Sequence, residues 1–448
     1  MEDWHEPVEE RDRGAVAALQ MRRLKAVLEA AASGNPFYRA HWKGADVAKI
    51  DSLESFAERI PTVEKRDFIA DQEDAPPYGL RHAPALALGR QLHLSTTSGT
   101  TGQGVEVHLQ TDRDMRGTEA ISFHMYRWSG LKPGALTFLT MPVTMLAGGR
   151  LEFMAAAAYG LSVSPVGNYD AGRKLELMRR FRPKALIGTT SYFGHLAAVA
   201  PEWPPSPGLT HLFSGAESSG WSYFERLEQD WGARVFDRYG STQAGCDHMF
   251  GCRVGIGTRA RPGMLHNVDH LMLVEVIDPA TGRQVKDGEP GEIVLTSLAH
   301  LDVPLVRCRM RDVAVWREPR SCACGLPFAG VEIASFSRLD DVKKVKGINV
   351  WPQAVEDVLF AEPLVEEYQV VLASSSDESD VAMVRIMPER ALGDGEAEAL
   401  ALRLVHGIRA RIGIRFEVET VAPGALPRSE YKARRWRDER VHQRDRRA

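Results

Sequence analysis

The sequence predicts an α/β protein with a large body of parallel-rich sheets and a β subdomain, followed by a small α+β carboxyl-terminal domain. Three observations lead to this class. The chain has 448 residues, and its middle alternates between strand-like and amphipathic runs. From residue 271 onward, strand-like runs follow one another closely and are separated by a turn. At roughly 150 residues per domain, this length corresponds to two or three domains.

The first predicted element is a helix. Residues 11–32 carry apolar positions at helical spacing and end near Gly34-Asn35-Pro36, a typical helix stop. Strand-like runs follow at 135–140, 161–166 and 185–188, with an amphipathic run at 174–181 between the last two. This alternation favours largely parallel strands, whose carboxyl ends carry the active residues.

The second half has a different pattern. Strand-like runs at 271–277 and 291–296, separated by the turn Asp278-Pro279-Ala280-Thr281-Gly282, predict an antiparallel β subdomain. From Asp340 onward the chain has its own strand and helix pattern, and roughly 110 residues are enough for a separate domain. The runs that define it are 349–360, 368–372, 382–386 and a long helix around 396–412.

Composition excludes several classes of protein. The net charge is −4 and charged residues make up 26% of the chain, so no basic excess attracts nucleic acid or an acidic membrane. The acidic start, Met1-Glu2-Asp3, does not resemble a signal peptide, and no apolar run approaches the roughly 20 residues of a membrane helix. Five cysteines in so long a chain predict no disulfide scaffold, which favours a cytoplasmic protein.

The Arg-rich residues 434–448 predict a solvated terminal helix or tail, with anion binding as the alternative.

The strongest local signal is the run 95–104, Ser-Thr-Thr-Ser-Gly-Thr-Thr-Gly-Gln-Gly. Its three glycines allow backbone amides to turn inward, and its hydroxyls add donors, so the loop suits a polyphosphate. It lacks the Gly-Lys-Ser/Thr ending of a Walker A loop. Taken alone, a loop of this composition is a flexible turn more often than a phosphate site.

Five further motifs follow in order, and each one alone is explained by an ordinary strand end or surface segment. They are Phe213-Ser214-Gly215-Ala216-Glu217, the run 235–243, the run 304–312, the run 337–350 with Ser337-Arg338-Leu339-Asp340-Asp341, and Leu426-Pro427-Arg428-Ser429-Glu430-Tyr431-Lys432.

Together, the order and spacing of these motifs resemble the adenylate-forming superfamily of acyl-CoA synthetases, and especially its phenylacetate–CoA ligase branch. The resemblance covers essentially the whole chain. It implies a body over residues 1–337 and a mobile domain over 338–448. It also implies a two-step reaction, in which a carboxylate and ATP give an acyl-adenylate and pyrophosphate, and a thiol then displaces AMP. ATP, Mg²⁺ and coenzyme A would be required.

The resemblance also implies roles for individual residues. Lys432 would bridge the carboxylate and the α-phosphate, where its charge stabilises the adenylation transition state, and Asp340 would be the hinge. Asp312 would take the ribose hydroxyls, because a carboxylate accepts two hydrogen bonds from a diol. The nucleotide-binding residues would be Thr97, Ser98, Gly99, Thr100, Thr101, Gly102, Ala216, Glu217, Asp237, Tyr239, Gly240, Ser241, Thr242, Gln243, Asp312 and Arg338. The substrate-binding residues would be Met145, Ala147, Gly148, Tyr192, Phe193 and Gly215, with core packing as the alternative for the two aromatic residues.

Some residues depart from the branch. Gln243 stands where the family has a glutamate that helps to hold magnesium, which should weaken the metal site. The phosphate loop ends in Gln103-Gly104 instead of Lys-Pro. Cys308 and Met310 replace Tyr and Thr, and Tyr431 replaces the glycine before the lysine. These changes suggest a specialised member with an altered second step or an unusual substrate.

Cysteine placement suggests a metal. Cys252, His266, Cys322 and Cys324 are a sufficient tetrahedral set for structural zinc, although the Cys-x-Cys spacing is tighter than usual. Some members of the branch carry Cys…His…Cys-x-Cys-Gly at these places. Free thiols are the alternative. Cys246 is a competing ligand, and Cys308 reads as a buried replacement for tyrosine.

The leading hypothesis is an aryl-CoA ligase acting on a small aromatic acid. An alternative keeps adenylation but passes the acyl group to a carrier-protein thiol or an amine. A third hypothesis is a non-catalytic relative that senses nucleotide or acid. The replacement of the family glutamate by Gln243 suggests it, and the presence of Lys432 argues against it. A homodimer is plausible because relatives of the branch often pair, whereas nucleic acid and membrane partners are not expected.

Overall fold

One twelve-stranded sheet forms the centre of the body. The structure is a computed structural model that describes residues 8, 11–97, 106–200, 202–339, 341–346, 348–374, 380–427 and 435–440. Among these residues, no helix combines the length and the apolar character that crossing a bilayer requires.

The helices lie mainly in the body. They are α1 (Arg13–Gly34), α2 (Pro36–Trp42), α3 (Leu53–Arg59), α4 (Lys65–Asp74), α5 (Ala83–Ala87), α6 (Asp112–Ser129), α7 (Ala147–Tyr159), α8 (Ala171–Phe181), α9 (Thr190–Val199), α10 (Trp221–Trp231), α11 (Pro352–Phe360) and α12 (Asp394–Ile412), with a 3-10 turn at Val47–Lys49.

The strands of the body alternate with these helices in its first half. They are β1 (Leu92–Thr96), β2 (Val107–Thr111), β3 (Leu136–Leu139), β4 (Ser162–Pro165), β5 (Ala185–Thr189), β6 (His211–Gly215), β7 (Arg234–Ser241), β8 (Cys246–Gly251), β9 (Gly257–Thr258), β10 (Arg261–Pro262), β11 (Met264–Asn267), β12 (Met272–Ile277), β13 (Pro290–Ser297), β14 (Cys308–Arg317), β15 (Gly330–Glu332) and β16 (Ser337–Arg338).

The remaining strands belong to the carboxyl-terminal part. They are β17 (Lys343–Val345), β18 (Ile348–Val350), β19 (Val365–Ser374), β20 (Asp380–Pro388), β21 (Glu417–Thr420) and β22 (Trp436–Asp438).

The central sheet changes character along its width. Its order is β12-β13-β14-β15-β11-β8-β7-β6-β5-β3-β4, and β16 pairs with β14. The strands from β4 to β7 are parallel, and those from β7 to β12 are antiparallel. The predicted antiparallel strands therefore exist, but they continue the parallel part of the sheet instead of forming a sheet of their own. Strand β7 is where the direction reverses.

Local sequence explains the first helix. The side chain of Asp12 accepts a hydrogen bond from the backbone N–H of Ala15 at 2.8 Å, which caps the amino terminus of α1. At the other end, Asn35 has extended backbone angles and Pro36 begins α2, so the helix stops where it was predicted to stop. The buried face of α1 includes Val16 and Leu24, each 0% exposed.

The carboxyl-terminal part has a four-stranded sheet in the order β21-β20-β19-β22, with α11 and α12. Its predicted strands and helices are present within a few residues. Its apolar core joins that of the body, because the ring of Phe360 lies 4.5 Å from the ring of Tyr223 on α10.

The prediction of a solvated terminal helix or tail is wrong for residues 435–440. Strand β22 pairs in parallel with β19, with Val370 opposite Trp436. The side chain of Arg435 is 9% exposed and pairs with Glu356 and Glu367. Partners more than 60 residues away decide this placement, so the local run of charge was misleading.

Candidate active site

The carboxyl ends of β5, β6 and β7 lie side by side, as expected for a parallel sheet. Thr189 is opposite Gly215, and Ser214 is opposite Asp237. The hydroxyl groups of Thr190 and Ser214 are 2.6 Å apart. Two of the predicted motifs therefore meet at the edge of the sheet formed by the carboxyl ends of its parallel strands, which is the usual side for a ligand crevice.

The turn after β6 has a strained backbone. Ala216 has a φ of +66°, a conformation that L-residues rarely adopt and that tends to mark functional turns. The next residue, Glu217, accepts a short hydrogen bond from the backbone N–H of Ser191 at the start of α9. Gly215 is required by space, because a Cβ there would lie 2.6 Å from Cγ of Arg238. The turn thus holds Glu217 against the neighbouring strand end.

The structure joins three predicted nucleotide residues from distant parts of the chain. The hydroxyl of Tyr239 donates to Oδ2 of Asp312 at 2.8 Å, and Nε of Arg338 lies 3.5 Å from Oδ1 of the same carboxylate. Strand pairing sets this arrangement, since Asp312 on β14 is opposite Arg338 on β16. The ring of Tyr239 stacks on Phe336 at 4.5 Å. A carboxylate held from two sides in this way is suited to accepting hydrogen bonds from a diol.

Asp237 lies two residues before Tyr239 on β7, and its environment differs from that of Asp312. It is 5% exposed, and within the described residues its Oδ1 accepts no hydrogen bond. Burial raises the pKa of this carboxyl to about 8, because the charged form loses its hydration. Burial also raises the pKa of Tyr239 well above its ordinary value, and the neighbouring Asp312 carboxylate adds to the effect. At neutral pH, Asp237 is therefore a neutral hydrogen-bonding group.

The base of the predicted phosphate loop is closed by two hydrogen bonds. The N–H of Thr97 donates to the carbonyl of Glu106 at 3.1 Å, and the N–H of Glu106 donates to Oγ1 of Thr97, also at 3.1 Å. The predicted loop residues Ser98, Gly99, Thr100, Thr101 and Gly102, the predicted hinge Asp340 and the predicted catalytic Lys432 lie outside the described residues.

The predicted acyl segment lies beside the base of this loop. The N–H of Thr96 donates to the carbonyl of Met145 at 3.1 Å. Met145 is 52% exposed, Gly148 is exposed with open space at its Cβ position, and Ala147 is buried at the start of α7. The segment therefore presents side chains and space next to the predicted nucleotide residues.

The two aromatic residues predicted to line the acyl pocket are buried at the start of α9. The hydroxyl of Tyr192 accepts a hydrogen bond from Nζ of Lys174 at 2.6 Å. Phe193 is 0% exposed, and its ring lies 6.3 Å from that of Trp231. Core packing, the alternative stated for both residues, accounts for these contacts, so their role toward a substrate stays a prediction.

Sequence reasoning missed one residue of this region. The carboxylate of Glu106 accepts a hydrogen bond from Nε2 of Gln243 at 2.7 Å and lies 3.2 Å from Nζ of Lys65 on α4. The remaining residues of the predicted run, Gly240, Ser241 and Thr242, lead from the end of β7 to Gln243. The signal in the sequence was an isolated acidic residue in the apolar run Val105-Glu106-Val107, directly after the glycine loop.

The four predicted metal ligands come together away from this crevice. Their donor atoms all lie within 4.8 Å of one another. Cys252 follows β8, His266 lies on β11, and Cys322 and Cys324 lie between β14 and β15. Nδ1 of His266 is 3.4 Å from the carbonyl of Phe328, which leaves Nε2 facing Sγ of Cys324 at 3.2 Å. Cys246, the competing ligand, is not part of this cluster, and Cys308 is buried as expected.

Comparison with known proteins identifies the family. A family model described as AMP-binding enzyme matches residues 18–299, and a model of the AMP-binding enzyme C-terminal domain matches residues 347–440. The chain belongs to the AMP-binding enzyme family. A phenylacetate-coenzyme A ligase of Thermus thermophilus is 29% identical over 443 residues, which cover 93% of this chain and 95% of the relative. One of Pseudomonas putida is 29% identical and covers 97% of both chains.

Solved structures of one ligase in several states match this AMP-binding enzyme. A 2-hydroxyisobutyryl-CoA ligase in the postadenylation state with 2-HIB-AMP is 25% identical, covers 97% of this chain and 91% of its own, and has a TM-score of 0.84. The same ligase in the thioesterification state has a TM-score of 0.65 over the same shares of both chains. The comparisons confirm the predicted branch, fold and enzyme class, an AMP-forming acid–thiol ligase.

Proposed function

We propose that this AMP-binding enzyme activates a small aromatic carboxylic acid with ATP and transfers the acyl group from the adenylate to coenzyme A. The observation that carries the proposal is the carboxylate of Asp312, which accepts a hydrogen bond from Tyr239 and lies 3.5 Å from Arg338. Relatives named phenylacetate-coenzyme A ligase that cover nearly the whole chain support the same activity.

In this proposal the site residues act mainly by orienting the nucleotide. The ribose hydroxyls donate to Asp312, in competition with Tyr239, and Arg338 holds the carboxylate in place. Asp237, neutral at pH 7, donates or accepts a hydrogen bond without adding charge beside the adenine. The strained turn at Ala216 keeps Glu217 at the boundary between nucleotide and acid.

The acid would lie between the strand ends and the segment at 145–148. Its carboxylate attacks the α-phosphorus, pyrophosphate leaves, and the ammonium group of Lys432 offsets the negative charge that develops. In the second step, the thiol of coenzyme A attacks the acyl carbon and AMP leaves. The open, partly apolar surface at Met145 and Gly148 supports a ring-sized substituent.

An ATP–pyrophosphate exchange screen over aromatic and aliphatic acids tests the first step, and the mass of the CoA thioester tests the second. Lys432→Ala should reduce exchange at least about a hundredfold, as expected for loss of a charge that stabilises the transition state. Lys49→Ala is the matched control, because Lys49 is 67% exposed and pairs only with the nearby Asp46 among the described residues.

Three results would separate the alternatives. Exchange without a CoA thioester indicates a carrier protein or an amine as the acceptor. Binding of ATP and acid without exchange indicates a sensor. Undiminished exchange in the Lys432→Ala variant contradicts the role given to this lysine.

We also propose that Cys252, His266, Cys322 and Cys324 hold a structural zinc ion. Three thiolates and one imidazole satisfy tetrahedral zinc without an open position, which is typical of a structural site. The residues fit such an ion, because the carbonyl of Phe328 orients His266 and the N–H groups of Val254 and Leu326 face Sγ of Cys252 and Cys324 at 3.5 and 3.4 Å. Zinc here would tie β8, β11 and the β14–β15 connection together.

A further inference from the structure

We propose that Glu106, acting through Gln243, supplies the negative charge for the metal–triphosphate end of the nucleotide site. The inference rests on the proposed function, because it assumes that ATP binds with Mg²⁺ beside Thr97 and Gln243. It gives Glu106 a positioning role. The carboxylate accepts a hydrogen bond from the amide nitrogen of Gln243 and so directs the amide oxygen toward the nucleotide.

The first argument is the direction of the Gln243 side chain. Its Nε2 donates to Oε2 of Glu106 at 2.7 Å, and only the amide nitrogen can make this bond to a carboxylate. The amide oxygen is therefore turned away from Glu106. A hydrogen bond to a carboxylate also polarises the amide, which makes its oxygen a better ligand for a hard cation such as Mg²⁺.

The second argument is that Glu106 is fixed in place. Its side chain is 0% exposed, its backbone closes the base of the loop on Thr97, and Oε2 pairs with Lys65 at 3.2 Å. Oε1 makes no hydrogen bond within the described residues and lies 3.6 Å from Nε2 of His108. The group is thus a buried carboxylate held in a fixed position.

The third argument is charge balance between two neighbouring positions. Residue 243 is neutral in this chain, and a carboxylate stands 2.7 Å from it at residue 106. A second carboxylate at 243 would bring two like charges into contact, which is unfavourable unless one of them is protonated. The contact between residues 106 and 243 is therefore favourable when one of the two positions, and not both, carries a charged carboxylate. The structure thus explains how a glutamine at 243 is compatible with metal-dependent chemistry.

The residues fit Mg²⁺, since an amide oxygen backed by a carboxylate is a suitable oxygen donor set. When bound, the ion would neutralise charge on the triphosphate. What the chain contributes is the orientation of the Gln243 oxygen and the negative charge behind it.

The experiment measures ATP affinity by isothermal titration calorimetry, with Mg²⁺ and with EDTA, and AMP affinity beside it. Mn²⁺ binding in the presence of ATP, followed by electron paramagnetic resonance, is a second readout that does not depend on turnover. Glu106→Gln should reduce the gain in ATP affinity due to Mg²⁺ by roughly 10- to 100-fold, the usual effect of removing a group that orients a metal ligand. AMP affinity and metal-free ATP affinity should hardly change.

The exchanged variant, Glu106→Gln with Gln243→Glu, should recover most of the loss, since it returns one carboxylate to the corner. Gln243→Glu alone should give an ATP–Mg²⁺ affinity that titrates above the ordinary carboxyl range, because the two carboxyl groups share a proton. Glu275→Gln is the matched control, a glutamate on β12 whose side chain is 13% exposed and pairs with Arg307.

The proposal is overturned if Glu106→Gln keeps the full gain from Mg²⁺, or if the folded exchanged variant recovers none of it. Should Glu106→Gln not fold, Gln243→Glu decides alone, and a pH profile identical to that of the wild type contradicts the proposal. A wild-type protein that binds no ATP contradicts the proposed function instead, which keeps the two failures distinct.

Discussion

At the scale of single residues, the crevice contains two aspartates with opposite environments. Asp312 has a tyrosine hydroxyl and a guanidinium at its two oxygens, whereas Asp237 is buried with one oxygen lacking a hydrogen bond. Burial raises the pKa of Asp237 to about 8. Environments that separate two carboxyl groups in this way commonly mark sites where one must be charged and the other neutral.

The raised pKa has a consequence for stability. Between pH 4 and pH 8, Asp237 is protonated in the folded protein and ionised in the unfolded chain, so stability falls as pH rises, by up to about 1.4 kcal/mol per pH unit. Asp237→Asn keeps a neutral group of similar shape. Its free energy of unfolding, measured in urea, should therefore fall less between pH 5 and pH 8 than that of the wild type.

Asp46→Asn serves as the control for this measurement. Asp46 is exposed and its pKa is lowered, so it is ionised in both states over this range. If Asp237→Asn and the wild type lose stability in parallel, Asp237 is ionised in the folded protein and the assignment is wrong.

At the scale of elements, the regular runs of the sequence were sufficient to predict most helices and strands. The helix at 11–32, the strands at 185–188 and 291–296 and the helix at 396–412 all exist within a few residues of the predicted bounds. Their periodicity is local, and local signals determine the type of an element better than its partners. The resemblance to a family, rather than periodicity, connected Tyr239 with Asp312 and Cys252 with Cys322.

What could not be predicted depends on contacts between distant segments. The pairing of β22 with β19 and the contact of Glu106 with Gln243 join positions 66 or more residues apart. No spacing rule within either segment indicates such a partner. The same holds for the continuity of the sheet, because β11 pairs with β15, which lies more than 60 residues later in the chain.

The zinc proposal is an element-scale prediction, because the cluster joins the end of β8, strand β11 and the β14–β15 connection. Metal analysis of the purified protein should give close to one zinc per chain, since a structural site is nearly fully occupied. Cys322→Ser should lower the zinc content and the melting temperature together. Cys246→Ser is the matched control, a buried thiol outside the cluster. Less than about 0.2 zinc per chain would refute the site.

At the scale of the whole molecule, the amino-terminal end of α10 is one of the places where the carboxyl-terminal part contacts the body. Helix α10 has no side-chain cap from its own segment, and α11 supplies one. The N–H of Gly220 donates to Glu356 at 2.9 Å, and the N–H of Ser222 donates to Asp357 at 3.1 Å. Carboxylates at a helix amino terminus satisfy its free N–H groups and interact favourably with its dipole. The chain matches one ligase with a TM-score of 0.84 in its postadenylation state and of 0.65 in its thioesterification state.

Weakening this contact should shift the molecule between arrangements. Asp357→Ala removes a cap worth about 1 kcal/mol, roughly a fivefold change in the docking equilibrium. Small-angle X-ray scattering should then show a larger radius of gyration, and the rate of thioester formation should rise relative to that of pyrophosphate exchange. The control, Glu362→Ala, removes an ion pair with Arg403 inside the carboxyl-terminal part. Unchanged scattering and an unchanged ratio of the two rates would argue that this helix end does not control docking.

The reversal of strand direction at β7 has an evolutionary consequence. In the proposed assignment, the acid is contacted by loops that follow the parallel strands β3, β5 and β6, whereas Asp312 and Arg338, which bind the nucleotide, lie on antiparallel strands beyond β7. In this assignment the ribose contact at Asp312 and the acid contacts after β3 and β5 lie on separate parts of one sheet, whereas the end of β6 and the turn after it carry both Gly215 for the acid and Glu217 for the nucleotide. Substitutions in the loops after β3 and β5 should therefore exchange one acid for another with the least effect on ATP binding, so a single scaffold can diversify its substrates one loop at a time.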